Sequence, residues 1–207
     1  MSQANLCNCP ITTLTNIPDF ECKESIGIIS KLLFCREKLF QGVTSPATIT
    51  TIKLLAEWAA TMDAADGTKT VITPLIDNGK VTPGDFLTAE FSQKTINTGQ
   101  KPSMFEAVLL SAPKTTIAAL ELLECEKSLY VYFINEQGQL IHAMYDTTVP
   151  GGFKVSSFSF GIKDTETDSN SANPDQNMIQ FQIEAGWSSL KTITTGAFNY
   201  LELENGS

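Results

Sequence analysis

The chain has few of the side chains on which catalysis and nucleic-acid binding usually depend. Among its 207 residues there is one histidine, and 14 Lys and Arg stand against 23 Asp and Glu, for a net charge of −9. One histidine excludes metal sites built on paired histidines and leaves a single candidate, His142, for a nucleophile–histidine pair. No third member of a triad lies near it in the sequence, so we interpret His142 as a solvated or hydrogen-bonded strand residue. A protein that holds nucleic acid by its phosphates needs clustered Lys and Arg, and the acidic balance argues against that class.

Several motifs that mark cofactor and metal sites are also missing. No Gly-x-Gly-x-x-Gly follows a strand, and no Gly-Lys-Ser/Thr phosphate loop is present. The cysteines do not form the closely spaced pairs of a zinc site, so we expect free thiols. We therefore predict no catalytic residue, no cofactor, no bound metal and no enzymatic activity. The five cysteines are Cys7, Cys9, Cys22, Cys35 and Cys125.

Long hydrophobic runs are absent as well. No apolar segment approaches the roughly 20 residues that span a bilayer. The first residues have neither the basic start nor the apolar core of a secretory signal. We predict no membrane partner, and we expect the protein to fold in a cytoplasm.

The strongest pattern that is present is a set of four β-strands. Leu129–Asn135 and Gln139–Tyr145 are predicted to form a hairpin, with Gly138 in the turn. Lys154–Lys163 and Asn177–Glu184 are predicted to form a second pair. Apolar and polar residues alternate along both strands of this second pair, which should place one face in a core and the other against water or a polar partner.

The rest of the chain is predicted to complete one β-rich domain over residues 21–195. It lies between an extended N-terminal arm at 1–20 and a C-terminal arm at 196–207. Within the domain we predict a helical element at 46–65 that begins at Ser45 and Pro46 and buries Trp58 against a sheet. Two loops are predicted, a long one at 77–101 and an acidic one at 164–177. Further predicted elements are strands within Glu21–Glu37, Val71–Ile76, Phe86–Phe91 and Ser103–Leu110, and a helix at Lys114–Glu124.

This layout resembles the tail-tube proteins of long-tailed bacteriophages, whose fold is shared with the tubes of contractile injection systems. The residues that carry the resemblance are the segment from Tyr130 to Ile141, Gly152-Phe-Lys-Val, and Phe158-Ser-Phe-Gly. The chain also resembles virion proteins of phages that infect Bacteroidota. The helical element at 46–65 and the cysteine-bearing arm depart from the tail-tube pattern.

The resemblance implies a mainly β, α+β fold with one or two helices, in which antiparallel strands form a β-sandwich or rolled sheet. It implies a structural virion protein that is assembled in the host bacterial cytoplasm and forms rings, typically hexamers, with itself and with other virion proteins. Stacked rings would enclose an acidic lumen through which DNA passes without specific binding. The polar residues expected to face that lumen are Ser157, Ser159, Gln180, Gln182 and Glu184.

Two alternatives remain open from the sequence. One is another virion part, such as a capsid decoration or head–tail connector protein. The other is a cytoplasmic β-sandwich module that binds a peptide by strand addition.

Overall fold

The computed structural model describes residues 25–43, 48–91, 94–146, 148–156, 160–167 and 174–205. The protein is mainly β, with 40% of the described residues in strands and 17% in helices. This confirms the predicted α+β, mainly β fold of antiparallel sheets, although the described residues form three α-helices rather than one or two. The predicted N-terminal arm at 1–20 lies outside the described residues.

The described residues form thirteen strands and three α-helices. The strands are β1 (Ile29–Cys35), β2 (Val71–Ile72), β3 (Asp77–Thr82), β4 (Phe86–Phe91), β5 (Lys94–Gln100), β6 (Ser103–Leu110), β7 (Tyr130–Asn135), β8 (Leu140–Met144), β9 (Pro150–Gly151), β10 (Phe153–Lys154), β11 (Gly161–Ile162), β12 (Gln176–Ile183) and β13 (Lys191–Thr194). The helices are α1 (Leu55–Met62), α2 (Lys114–Leu123) and α3 (Trp187–Leu190).

Eleven of these strands form one sheet that folds back on itself. The strand order is β11-β12-β6-β3-β1-β7-β8-β13, with β2 beside β1, β9 beside β8 and β10 beside β7. The half containing β12, β6 and β3 faces the half containing β1, β7 and β8, and aromatic rings fill the space between them. Phe105 stacks on Phe181 at 4.6 Å and on Phe133 at 5.4 Å between ring centroids. The sheet is therefore rolled into a sandwich around one apolar core.

A second core covers the outer face of the β1–β7–β8 half. The indole of Trp58 on α1 is fully buried and packs edge-on against Tyr132 of β7 at 5.5 Å. Its Nε1 donates a hydrogen bond of 2.8 Å to the carbonyl of Ile52, which satisfies the one polar group that the ring brings into the core. Because both faces of β7 are covered, five consecutive side chains are buried, from Val131 to Asn135.

Several predicted elements are confirmed. The hairpin of β7 and β8 lies where the apolar run and Gly138 placed it, and β1, β4 and β6 lie within their predicted ranges. Helix α2 matches the prediction to within one residue, and Trp58 is buried as expected.

The predicted strand Lys154–Lys163 is confirmed only at its ends, because residues 157–159 lie outside the described residues. Val155 bridges Ile183 and β11 pairs with β12, as predicted, whereas Lys154 belongs to β10, which pairs with β7. The main partner of β12 is β6, in a register that runs from Gln176 opposite Leu110 to Ile183 opposite Ser103. Local alternation reports which face of a strand is buried but not which distant strand lies beside it, so this pairing was missed.

The predicted long loop at 77–101 is also wrong. Residues 77–82 form β3, which joins β6 to β1, and β4 and β5 form a separate two-stranded sheet. Strands β3 and β5 are rich in Thr, Asn and Gly and bury little, so they lack the apolar alternation on which strand prediction depends.

Other boundaries also differ from the prediction. Helix α1 begins at Leu55, after a short 3-10 turn at Thr51–Lys53, and not at residue 46; the predicted cap at Ser45 and Pro46 lies outside the described residues. Gln176 and Asn177, expected in the acidic loop at 164–177, belong to β12, and residues 168–173 of that loop are outside the description. In the region predicted as the C-terminal arm at 196–207, Tyr200 and Leu203 are buried in the second core.

Candidate functional site

The first candidate site is the outer face of the β6–β12 pair, where the sequence predicts lumen-facing residues. Gln180 and Gln182 are half-buried on this face. The Gln180 side chain donates a hydrogen bond of 3.1 Å to Glu106 on β6, and Glu106 lies 3.6 Å from the Lys80 amine on β3. The structure thus places both predicted glutamines on one surface and adds Glu106 and Lys80, which the sequence did not indicate.

Glu184 follows the end of β12 and faces solvent. Its carboxylate forms an ion pair of 2.8 Å with the Lys154 amine, and about half of each side chain is exposed. An exposed pair of this kind contributes at most about 1 kcal/mol. Ser157 and Ser159, the other two predicted lumen residues, lie outside the described residues.

This face is less polar than the alternation suggested. Met104 and Val108 of β6 and Met178 of β12 are half-buried on the same side as Gln180. Apolar side chains therefore alternate with the amides and the Lys80–Glu106 pair, a composition that suits contact with another protein surface as well as with water.

His142 has the structural role that the sequence favoured. It is fully buried between β8 and β13, with Nε2 2.9 Å from the Thr194 hydroxyl and Nδ1 3.0 Å from the Ala143 carbonyl. Burial lowers the pKa of its imidazole, because the charged form would lose its water. The imidazole of His142 is therefore uncharged in the folded protein at neutral pH.

This burial predicts that stability falls as the pH drops below about 6.5, the ordinary pKa of histidine. Below this pH the unfolded chain binds a proton at His142, whereas the folded chain binds it only at a lower pH. The free energy of unfolding therefore decreases by up to about 1.4 kcal/mol per pH unit. Urea unfolding measured from about pH 7.5 to pH 5.5 should show this slope in the natural protein and lose it in His142→Gln, because no other histidine is present. An equal slope in the two proteins would contradict the assignment.

Both described cysteines, Cys35 and Cys125, are free thiols. Cys35 is buried, and burial raises the pKa of its thiol to about 12, so the nucleophilic thiolate is not formed at neutral pH. Cys125 is exposed and, like Cys35, forms no disulfide. Within the described residues, no group of three or more His, Cys, Asp or Glu is arranged to hold a metal; Cys7, Cys9 and Cys22 lie outside them.

The second candidate site is an apolar groove between residues 69–75 and helix α2. A cavity of about 610 Å³ has β2 and the residues after it on one wall and Thr116, Ala119 and Leu123 of α2 on the other. A second cavity of about 340 Å³ continues it toward Arg36, and Phe34, Lys69, Val71 and Leu123 line both. Two large apolar side chains near the groove are exposed, Leu75 at 65% and Leu122 at 71%.

One end of this groove is closed by the segment that follows a second 3-10 turn, at Tyr200–Glu202. The Asn205 side chain accepts a hydrogen bond from the Ile72 amide and donates one to the Ile72 carbonyl, both at 2.8 Å. The Lys31 amine donates to the carbonyls of Leu201 and Leu203 at 2.7 and 3.0 Å. Desolvation by the packed segment lowers the pKa of Lys31.

The third candidate site is the hairpin of β4 and β5. These strands pair with each other and, among the described residues, with no other strand. No side chain described at 86–90 or 95–100 is buried, and Phe86 is 67% exposed. A two-stranded hairpin with no buried face is at best marginally stable in water, so this element is suited to contact with a partner.

The groove and the hairpin were missed by sequence reasoning for different reasons. The hairpin carried a usable signal, since Phe86–Phe91 was predicted as a strand but its polar partner was not. The groove carried none, because its walls come from residues near 31, 70, 120 and 204 that meet only in the folded chain.

Comparisons add no assignment to these three sites. A scan against models of known protein families found no match, and a search of curated proteins found no relative. None of the helices in the described residues is long and apolar enough to cross a membrane.

Proposed function

We propose that the protein is a structural virion component, the protomer of a phage tail tube, which forms rings that stack around a DNA passage. The observation that carries this proposal is the rolled antiparallel sandwich with a hairpin, β4–β5, that pairs with no other strand among the described residues. A protein that works by assembly needs such surfaces, whereas an enzyme needs a cluster of reactive groups. In this protein the one histidine, His142, is buried and neutral, and the thiol of Cys35 is buried and protonated.

The charge of the chain is consistent with a passage for DNA. A net charge of −9 repels phosphate, so DNA could move past the protein without being held. In this proposal the face that carries Gln180, Gln182 and Glu184 borders the lumen.

Assembly is the direct test of this proposal. Tag-free protein at micromolar concentration should form oligomers by light scattering and stacked rings in electron micrographs. A monomer that stays monomeric even with other virion components would contradict the proposal.

The lumen assignment predicts a specific defect for Glu184→Lys. The free energy of unfolding should change by no more than about 0.5 kcal/mol, because the residue is exposed and its ion pair with Lys154 stabilises the fold only weakly. One substitution repeated around every ring would turn a repulsive wall into one that binds phosphate. Virions should contain DNA and adsorb normally but eject slowly, most severely at low salt, where screening is weakest.

Glu136→Lys is the matched control, because it makes the same change in net charge at an exposed position in the β7–β8 turn. It should eject at the normal rate. Normal ejection by Glu184→Lys, or equal slowing by both variants, would show that Glu184 does not face the lumen.

A further inference from the structure

The described residues of one copy leave two surfaces uncovered, the β4–β5 hairpin and the apolar groove. The hairpin has strands of six and seven residues and no buried side chain at 86–90 or 95–100. An isolated pair of strands gains independent stability when a third strand or an apolar surface covers it. Phe86 and Leu87, which neighbour each other on β4 and so point to opposite faces, are 67% and 44% exposed.

The groove offers a surface of matching shape and length. One wall is an extended segment at 69–75, and at about 3.3 Å per residue its length is close to that of the six-residue β4, roughly 20 Å. The other wall is α2, whose small side chains at Thr116 and Ala119 leave room for an incoming strand.

Asn205 indicates what kind of group this groove accepts. In an antiparallel sheet, a residue opposite Ile72 would accept a bond from its amide and donate one to its carbonyl. The carboxamide of Asn205 makes these same two bonds, and Asn205 is exposed. Pro74 has no amide hydrogen, so backbone pairing along this edge centres on Ile72. The free edge of β2 at Ile72 can therefore pair with another strand. Within one copy of the chain, the Asn205 side chain makes these hydrogen bonds instead.

We propose that β4 of a second copy lies in this groove, pairs with Ile72 in place of Asn205, and packs one of its exposed apolar side chains against α2. The inference rests on the proposed function, because it names the contact through which that assembly forms. The hairpin and the groove are different surfaces of the chain, so the contact is head-to-tail and produces closed rings or open chains rather than isolated dimers.

Two arginine substitutions on α2 test the groove. Ala119 is exposed and lines the groove, so Ala119→Arg should fill it and raise the concentration needed for assembly by at least about tenfold, while the monomer stays folded. Ala118 is exposed on the same helix outside the lining, and Ala118→Arg should assemble normally. Equal assembly by the two variants would overturn the proposal.

A mixing experiment identifies the occupant. The variant Phe86→Ser/Leu87→Ser keeps the groove but loses the apolar hairpin, whereas Ala119→Arg keeps the hairpin but loses the groove. Each alone should fail to assemble, and the mixture should form a one-to-one dimer that cannot extend, seen by analytical ultracentrifugation. A mixture that stays monomeric would assign the groove to an occupant other than the hairpin and would overturn the proposal.

Asn205→Ala tests the strand pairing separately. Removing the two competing hydrogen bonds should lower the concentration needed for assembly by about tenfold. Unchanged or weaker assembly would overturn the pairing with Ile72. If rings form equally with and without Ala119→Arg, the proposed function stands and this contact is refuted. If assembly depends on the groove but gives open chains without rings, the contact stands and the proposed function is refuted.

Discussion

Replacing Trp58 with alanine should lower the free energy of unfolding by about 3–5 kcal/mol. The indole is fully buried where α1 meets the sheet, with Phe40 at 4.3 Å and Tyr200 at 6.1 Å between ring centroids. Its removal leaves a cavity bounded by the rings of Phe40, Tyr132 and Tyr200, which lie on separate segments and cannot all move inward. It also leaves the Ile52 carbonyl without the indole donor.

Urea unfolding followed by circular dichroism measures this loss. For a domain of this size, the same loss should lower the melting temperature by about 10 °C. Leu55→Ala, one turn earlier on the same helix, is the control, because Leu55 is 52% exposed and its loss should cost well under 1 kcal/mol. Similar losses in the two variants would show that α1 does not anchor the second core through Trp58.

Replacing Gly79 with alanine should destabilise the protein by roughly 3 kcal/mol, through the joint between the two halves of the sheet. Gly79 lies opposite Ile29, and this register pair links β3 to β1. A β-carbon at Gly79 would clash with the Ile29 carbonyl oxygen and lie 3.0 Å from the Ile29 Cβ. Backbone atoms inside a sheet cannot turn aside as a flexible side chain can, so β1 and β3 would have to separate.

Gly67→Ala is the matched control, because a β-carbon at Gly67 would meet nothing within 4 Å. It should leave thermal stability unchanged or raise it by up to about 1 kcal/mol, since alanine restricts the unfolded chain. If Gly79→Ala unfolds at the same temperature as Gly67→Ala, the close approach of β3 to β1 does not limit the stability of the fold.

The elements that the sequence alone determined are those whose signal is local. The apolar residues within Leu129–Asn135 predicted the first strand of the hairpin, observed as β7, and the apolar spacing within Lys114–Glu124 predicted α2. Trp58 was predicted to be buried because a large apolar ring on a core-facing helix side has few other places to lie. The hydrogen-bonded role of His142 followed from the absence of any catalytic partner nearby.

The tertiary structure decided the pairing and the surfaces. The main partner of β12 is β6, some 70 residues earlier, and strand alternation is the same whichever neighbour lies beside it. Strand β5 is polar and has no buried side chain at 95–100, so it was predicted as part of a loop, whereas the more apolar β4 was predicted as a strand. The groove exists because Phe34, residues 69–75, α2 and Asn205 meet there, and cavities are formed by packing between distant segments, which residue order does not express.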